Sequence, residues 1–234
     1  MTSERDVRAC RPGVQAMDRR AVPLAAVLSR PEGTAAVRPQ SEPDRPADAL
    51  AELQAGNRRF VTGQPWYGHH RAGAVAAAGD QQPFAAVLGC IDSRVPVEAV
   101  LDQGFGAVFV VRSAGQVLDQ AVLGSIEFAV VDGAVPLVLV LGHTSCRAVA
   151  ATVDALRNGV RPEGARGHLV EQIAPAVQAV GDPPDHTAAV RHHVRRTALR
   201  LREWEPVRSR VGTGALAVRG AVYHLDTCEV ELLP

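Results

Sequence analysis

Ala85-Ala86-Val87-Leu88-Gly89-Cys90-Ile91-Asp92-Ser93-Arg94 is an apolar run that ends in a thiol, a carboxylate and a guanidinium. From Phe84 to Cys90 the run is continuous rather than alternating, the pattern of a strand buried on both faces. A second such run, Val135 to Leu141, leads into Gly142-His143-Thr144-Ser145-Cys146. Ala107 to Val111, closed by Arg112, reads as another buried strand. Helical spacing separates these runs. Asp119 to Val131 carries Val122, Leu123, Ile126 and Val130 at helical intervals, Arg147 to Leu156 continues after the third strand, and Pro96 starts a short helix reaching Leu101. Strands alternating with helices imply right-handed crossovers and a parallel sheet. The expected fold class is α/β: a mainly parallel central sheet flanked by helices, with a C-terminal strand pair and an N-terminal helical arm.

Outward from this centre, Asp48 is placed to cap a helix bearing Ala49, Leu50, Leu53 and Phe60, which Gly56-Asn57 ends or distorts. Gly63 to Gly79 is irregular. Its adjacent His69 and His70 point apart in any regular element, which favours a surface or oligomer contact over a metal. C-terminally, His168 to Val180 forms a helix that Pro175 kinks or breaks. Pro183-Pro184 ends it, and a longer helix runs from Asp185 to Trp204. A short turn from Pro206 to Val211 follows. Gly214 to Val222, a turn at Asp226 to Glu229, and Val230 to Leu233 form a closing hairpin. Residues 1–46, rich in Arg, Pro, Glu, Ser and Ala, are expected to be a disordered or loosely attached extension, and residues 47–234 one domain.

Of 234 residues, 47% are apolar, enough for a sizeable core, and formal charge balances at zero. Nothing in that balance points to a nucleic acid. The basic run Arg191 to Arg202, with His192 and His193, is expected to be a solvated helix face. No apolar run approaches the ~20 residues that span a bilayer. A cytoplasmic protein is expected, the alternative being export through Arg19-Arg20 and the apolar residues after it. The four cysteines, Cys10, Cys90, Cys146 and Cys228, are too sparse for a disulfide scaffold.

In open α/β sheets, sites form outside the carboxyl ends of the strands. Cys90 and His143 stand at such ends, and Cys146 follows His143 at a helix start. Two thiolates and an imidazole suit zinc, and with three strong ligands the fourth position is left for water or substrate. Asp92 and Arg94 are two apart and face the same way on an extended backbone. Arg94 keeps Asp92 ionised, so that Asp92 either accepts a hydrogen bond from water on the metal or binds the metal itself as a fourth ligand. Other chemistries fail on spacing. Pro96 occupies the place where a cysteine phosphatase needs arginine. No Gly-x-x-x-x-Gly-Lys loop is present, Gly104-Phe105-Gly106 is too short for a dinucleotide fingerprint, and Gly142-His143 makes no nucleophile elbow.

At these residues the chain resembles the β-class carbonic anhydrases, whose signature pairs Cys-x-Asp-x-Arg with a later His-x-x-Cys. Cys90-Ile91-Asp92-Ser93-Arg94 and His143-Thr144-Ser145-Cys146 match both halves. The likeness runs from Ala49 to Leu233. It takes in Gly56-Asn57-Arg58-Arg59-Phe60, Phe109-Val110-Val111-Arg112, Leu123-Gly124-Ser125-Ile126-Glu127 and Gly220-Ala221-Val222-Tyr223. It implies zinc-dependent reversible hydration of carbon dioxide to bicarbonate and a proton, by zinc-bound hydroxide. Cys90, His143 and Cys146 would hold one Zn2+ per chain, with Asp92 and Arg94 as the catalytic dyad. It also implies that Gln81, nine residues before Cys90, binds substrate across a dimer interface. The expected assembly is a homodimer or a dimer-based tetramer, with carbon dioxide and bicarbonate as small-molecule partners and neither nucleic acid nor membrane.

Three departures stand out. Arg147 replaces the usual glycine after the second cysteine and either narrows the pocket or points to solvent. Gln116 replaces an asparagine, and Cys228 occupies a turn position where glycine is common. Val87 stands where members with a non-catalytic bicarbonate site carry Trp, which favours an open metal site at neutral pH. The alternatives are a hydrolase of carbon disulfide or carbonyl sulfide on the same scaffold, or a catalytically silent, zinc-stabilised binding protein.

Overall fold

The computed structural model describes residues 43–79, 81–181 and 184–234, all of which fall within one compact unit. The readings made for Cys10, for the Arg19-Arg20 segment, for the extension up to residue 42 and for Pro183 lie outside the described residues. Among the described residues no helix is long and apolar enough to cross a membrane.

The sheet has five strands: β1 (Ala85–Cys90), β2 (Val108–Ser113), β3 (Leu137–His143), β4 (Ala217–Tyr223) and β5 (Val230–Leu232), in the order β2-β1-β3-β4-β5. The first four are parallel, and β5 closes an antiparallel pair with β4. Every residue of β1 and β3 is buried, as their continuous apolar runs require. β2 departs from the expectation of a fully buried strand. It is an edge strand, half-buried along most of its length with Arg112 exposed.

Period-two alternation divides β1 between two cores. Ala86, Leu88 and Cys90 face one, together with Val138 and Val140 of β3. That core is covered by α4 (Gln120–Val131), α5 (Arg147–Arg157), α6 (Ala165–Gln178), α7 (His186–Glu203) and α8 (Val207–Gly212). Ala85 and Val87 face the other, against α1 (Pro46–Val61) and α3 (Val97–Val100); α2 (Arg71–Ala76) lies between these in sequence. Asp119 caps α4 by accepting from the Val122 N–H at 2.9 Å, and Asp185 caps α7 through the N–H groups of Thr187 and Ala188. Helix α7 lies close on the sheet because Gly142 and Gly220 have no side chain there. A Cβ at either would meet Val194 of α7, at 2.4 and 2.9 Å.

Several local expectations change. Helix α1 starts at Pro46 after Arg45, so Asp48 is not its cap. Asp48 sits in the first turn and pairs with Arg45. Gly56-Asn57 does not end the helix. Asn57 is buried and ties α1 to the closing hairpin, donating to the Val100 and Cys228 carbonyls and accepting from Val230 N–H. Pro175 does not end α6, which runs on to Gln178. The irregular Gly63–Gly79 stretch contains α2, and Asp102 anchors its start by accepting from the N–H groups of Trp66 and Tyr67 and from Arg59. Cys228 adopts φ 62°, the left-handed geometry that glycine usually supplies, and the hairpin still closes through Cys228 N–H to His224 O at 2.8 Å.

Candidate metal centre

The chain leaves β1 to form β2 on one side and crosses to β3 on the other, so the sheet's switch point lies between β1 and β3. The carboxyl ends of those two strands carry Cys90 and His143. After β3 the backbone turns through Ser145 at φ 54° and delivers Cys146 to the N-cap position of α5. A thiolate there lies at the positive end of the helix dipole. The metal-capable atoms of Cys90, His143 and Cys146 all lie within 4.8 Å of one another, and all three residues are buried.

The donor set fits a soft dication. His143 Nδ1 lies 2.9 Å from the Thr144 carbonyl, so it must carry the proton and donate. That leaves the Nε2 lone pair buried, with no hydrogen-bond partner, among two sulfurs. Between the two sulfurs, a hydrogen bond from Cys146 lowers the Cys90 thiol against the opposing effect of burial. The same bond, together with burial, pushes the Cys146 thiol up. A dication would displace that proton and neutralise both thiolates.

Asp92 stands beside this cluster, its Oδ2 3.9 Å from His143 Nε2. Arg94 clamps it from three donors: its N–H and Nε to Oδ1 at 3.0 and 2.9 Å, and a terminal guanidinium nitrogen to Oδ2 at 2.8 Å. This fork holds the carboxyl well below the usual carboxylate range. The same guanidinium reaches the Ser145 carbonyl at 3.3 Å and so links the two halves of the motif.

Four further residues shape the centre. Arg112 donates to the Cys90 carbonyl at 2.8 Å and to the Asp92 carbonyl at 2.6 Å, fixing the turn between them. Gly115, at φ 63°, donates its N–H to Cys90 Sγ at 3.3 Å. His193 Nε2 lies 2.7 Å from the Gly115 carbonyl, and His186 Nε2 lies 3.2 Å from the Cys146 carbonyl. His193 does not belong to the solvated face expected of its basic run. Arg195, Arg196 and Arg202 are exposed, whereas His193 is buried. Its spacing from Ala189, Val190, Val194 and Thr197, all buried, was the available signal.

The other candidates are placed as follows. Arg147 is exposed at the start of α5, in keeping with the solvent-facing alternative. Gln116 is buried at φ 45°, and its Oε1 has no hydrogen-bond partner. His69 and His70 are exposed, and His69 meets the Phe105 ring edge-on. Gln81 is not brought to the centre within the chain. It precedes β1, whereas Cys90 ends it, and six residues of strand span roughly 20 Å. Gln81 instead lines a groove of about 510 Å³ with Phe84, Phe109, Phe128 and Pro136.

Comparison with known proteins agrees with this architecture. Residues 85–230 match the family described as carbonic anhydrase. Carbonic anhydrase 2 of Mycobacterium tuberculosis is 42% identical over 188 residues, 77% of this chain and 89% of that protein. The carbonic anhydrase of Mycolicibacterium smegmatis is 43% identical over 195 residues, 80% of this chain and 93% of its own. Among solved structures, a tetrameric β-carbonic anhydrase of Sordaria macrospora has the same fold, with TM-score 0.62 and 21% identity over 80% of this chain and 94% of the other.

Proposed function

Because this chain belongs to the β-class carbonic anhydrases, we propose that it interconverts carbon dioxide and water with bicarbonate and a proton at a zinc ion held by Cys90, His143 and Cys146. The reading is carried by one observation: two sulfurs and an unpartnered imidazole nitrogen converge in a buried cluster beside a carboxylate kept ionised by its own arginine. Zinc bound there would supply a Lewis acid whose charge two thiolates already offset, so it acidifies a water less than a tris-imidazole site does, where the pKa is ~7.

The chain's own groups supply the rest. Asp92 accepts a hydrogen bond from the attacking water and orients it toward the carbon of the substrate. Arg94 keeps both Asp92 oxygens engaged, which favours an open site over one with Asp92 on the metal. His143 keeps its tautomer through Thr144 and so presents Nε2 inward. Gln81, at the far end of its own β1, serves the centre of a second copy by donating to a substrate oxygen. The unpaired edge of β2, with Phe128 exposed on α4 beside Phe109, is the face against which that second copy packs, giving a homodimer or a tetramer built from dimers.

Stopped-flow hydration of carbon dioxide tests this reading. Asp92→Asn should lower turnover by on the order of 10²-fold or more while zinc stays at one per chain. Turnover of the parent protein should rise toward alkaline pH. Asp92 is already ionised well below neutrality and contributes no inflection there. A rate that is flat from about pH 6 to about pH 9 contradicts the two-thiolate centre, and one zinc per chain without hydration favours a silent binding protein.

A further inference from the structure

Helix α7 reaches two backbone carbonyls beside the metal centre, those of Cys146 and Gly115. His186 and His193 are seven residues apart, about two turns, and so share a helix face. His186 donates toward the Cys146 carbonyl and His193 toward the Gly115 carbonyl. The second contact matters more, because Gly115 is the residue whose N–H points at Cys90 Sγ. At φ 63° Gly115 lies in the left-handed region, next to Gln116 at φ 45°. A Cβ at Gly115 would meet Ile173 and Ala148 at 3.0 and 3.1 Å, so this position packs closely against both.

We infer that His193 is a positioning residue for the metal centre, acting through Gly115 to aim a backbone N–H at the Cys90 thiolate. The inference rests on the reading of Cys90, His143 and Cys146 as a zinc site. Against a carbonyl oxygen, His193 Nε2 must be the donor, so Nδ1 carries the lone pair and has no partner. A buried acceptor without a donor is a cost that a residue serving packing alone would not carry. The Nε2 contact fixes the Gly115–Gln116 peptide, and through the φ of 63° at Gly115 it sets the direction of the Ala114–Gly115 N–H. The N–H that results withdraws charge from the sulfur and sets how much charge Cys90 gives the metal. His193 does not touch substrate or metal.

The test uses the full chain with cobalt(II) in place of zinc, which gives a sulfur-to-metal charge-transfer band, alongside zinc release to a chelator. His193→Leu should shift the band and release zinc about 10- to 100-fold faster. His193→Gln keeps a donor at the reach of Nε2 and should restore both readouts. Its shorter homologue, His193→Asn, cannot reach and should behave like the leucine variant. Should the leucine variant not fold, the glutamine and asparagine pair carries the comparison. In wild-type protein loaded with ¹¹³Cd, the Gly115 amide proton should show scalar coupling to the metal through the N–H···S bond. An unshifted band and unchanged zinc release in His193→Leu or His193→Asn, or no such coupling, overturns the positioning role and leaves the zinc reading intact. Failure of the wild-type chain to bind cobalt or zinc overturns both.

Discussion

Arg112 illustrates how a residue outside the signature governs the signature's shape. One guanidinium bridges the carbonyls of Cys90 and Asp92, and its planar fork meets both at once. Lysine keeps the charge and loses the fork. Arg112→Lys should therefore retain one zinc per chain and lose about fivefold in hydration rate, since one net hydrogen bond is worth about 1 kcal/mol and 1.4 kcal/mol is tenfold. Stopped-flow rates with metal analysis on the same sample check this, and an unchanged rate would show that the Cys90–Asp92 turn holds without the clamp. At the same scale, Arg94 engages both oxygens of Asp92, so removing the arginine would leave that carboxylate unclamped.

Between elements, the short strand β5 is fastened to α7 by Glu231, which pairs with Arg191 through both oxygens and lies 3.2 Å from His224 Nε2. Arg191, then His224, lowers Glu231 to about 2. A carboxylate with a depressed folded pKa adds stability above its unfolded value, near 4.5, and that stability is lost as pH falls through the folded value. Glu231→Gln should thus melt at lower temperature than the parent at pH 7, with the difference closing between about pH 4.5 and about pH 2. Thermal melts followed by circular dichroism across that range read the effect, and a difference independent of pH would assign it to packing alone. Helix α7 serves several parts of this face: Val194 fills the space above Gly142 and Gly220, Arg191 secures β5, and its histidines reach the Cys146 and Gly115 carbonyls.

For the whole molecule, the two ends of the sheet have different tasks. The carboxyl end carries the metal-capable cluster, while the amino end carries Gln81 beside Phe109, Phe128 and the β2 edge. If a second copy joins these ends, breaking the contact should impair catalysis without touching a ligand. Phe128 is 55% exposed in the single chain. Phe128→Glu buries an unpaired carboxylate in any such contact, at a cost of several kcal/mol. Light scattering should show the parent as a dimer or larger, the variant as a monomer, and the variant's turnover per zinc reduced by at least about tenfold. A monomeric variant with full turnover would remove Gln81 from the reaction.

The metal-capable centre was legible from the order of residues alone. Two continuous apolar runs, each ending in soft ligands, are local patterns, and a strand end followed by a helix start is enough to bring Cys90, His143 and Cys146 to one edge. The helix starts at Asp119 and Asp185 were readable for the same reason, and there each aspartate caps its own first turn, whereas Asp48, read as a cap, is not one. What only the folded chain decided are contacts between residues far apart in sequence. Asn57 reaches the hairpin 171 residues away, and His193 meets Gly115 across 78 residues. Nor did the apolar character of β2 reveal that it ends the sheet, because edge and centre differ in neighbours rather than in composition. Ligand identity is a property of side chains and can be read in one dimension. Which backbone groups lie beside those side chains depends on which helix lies across the sheet, and that is decided by packing.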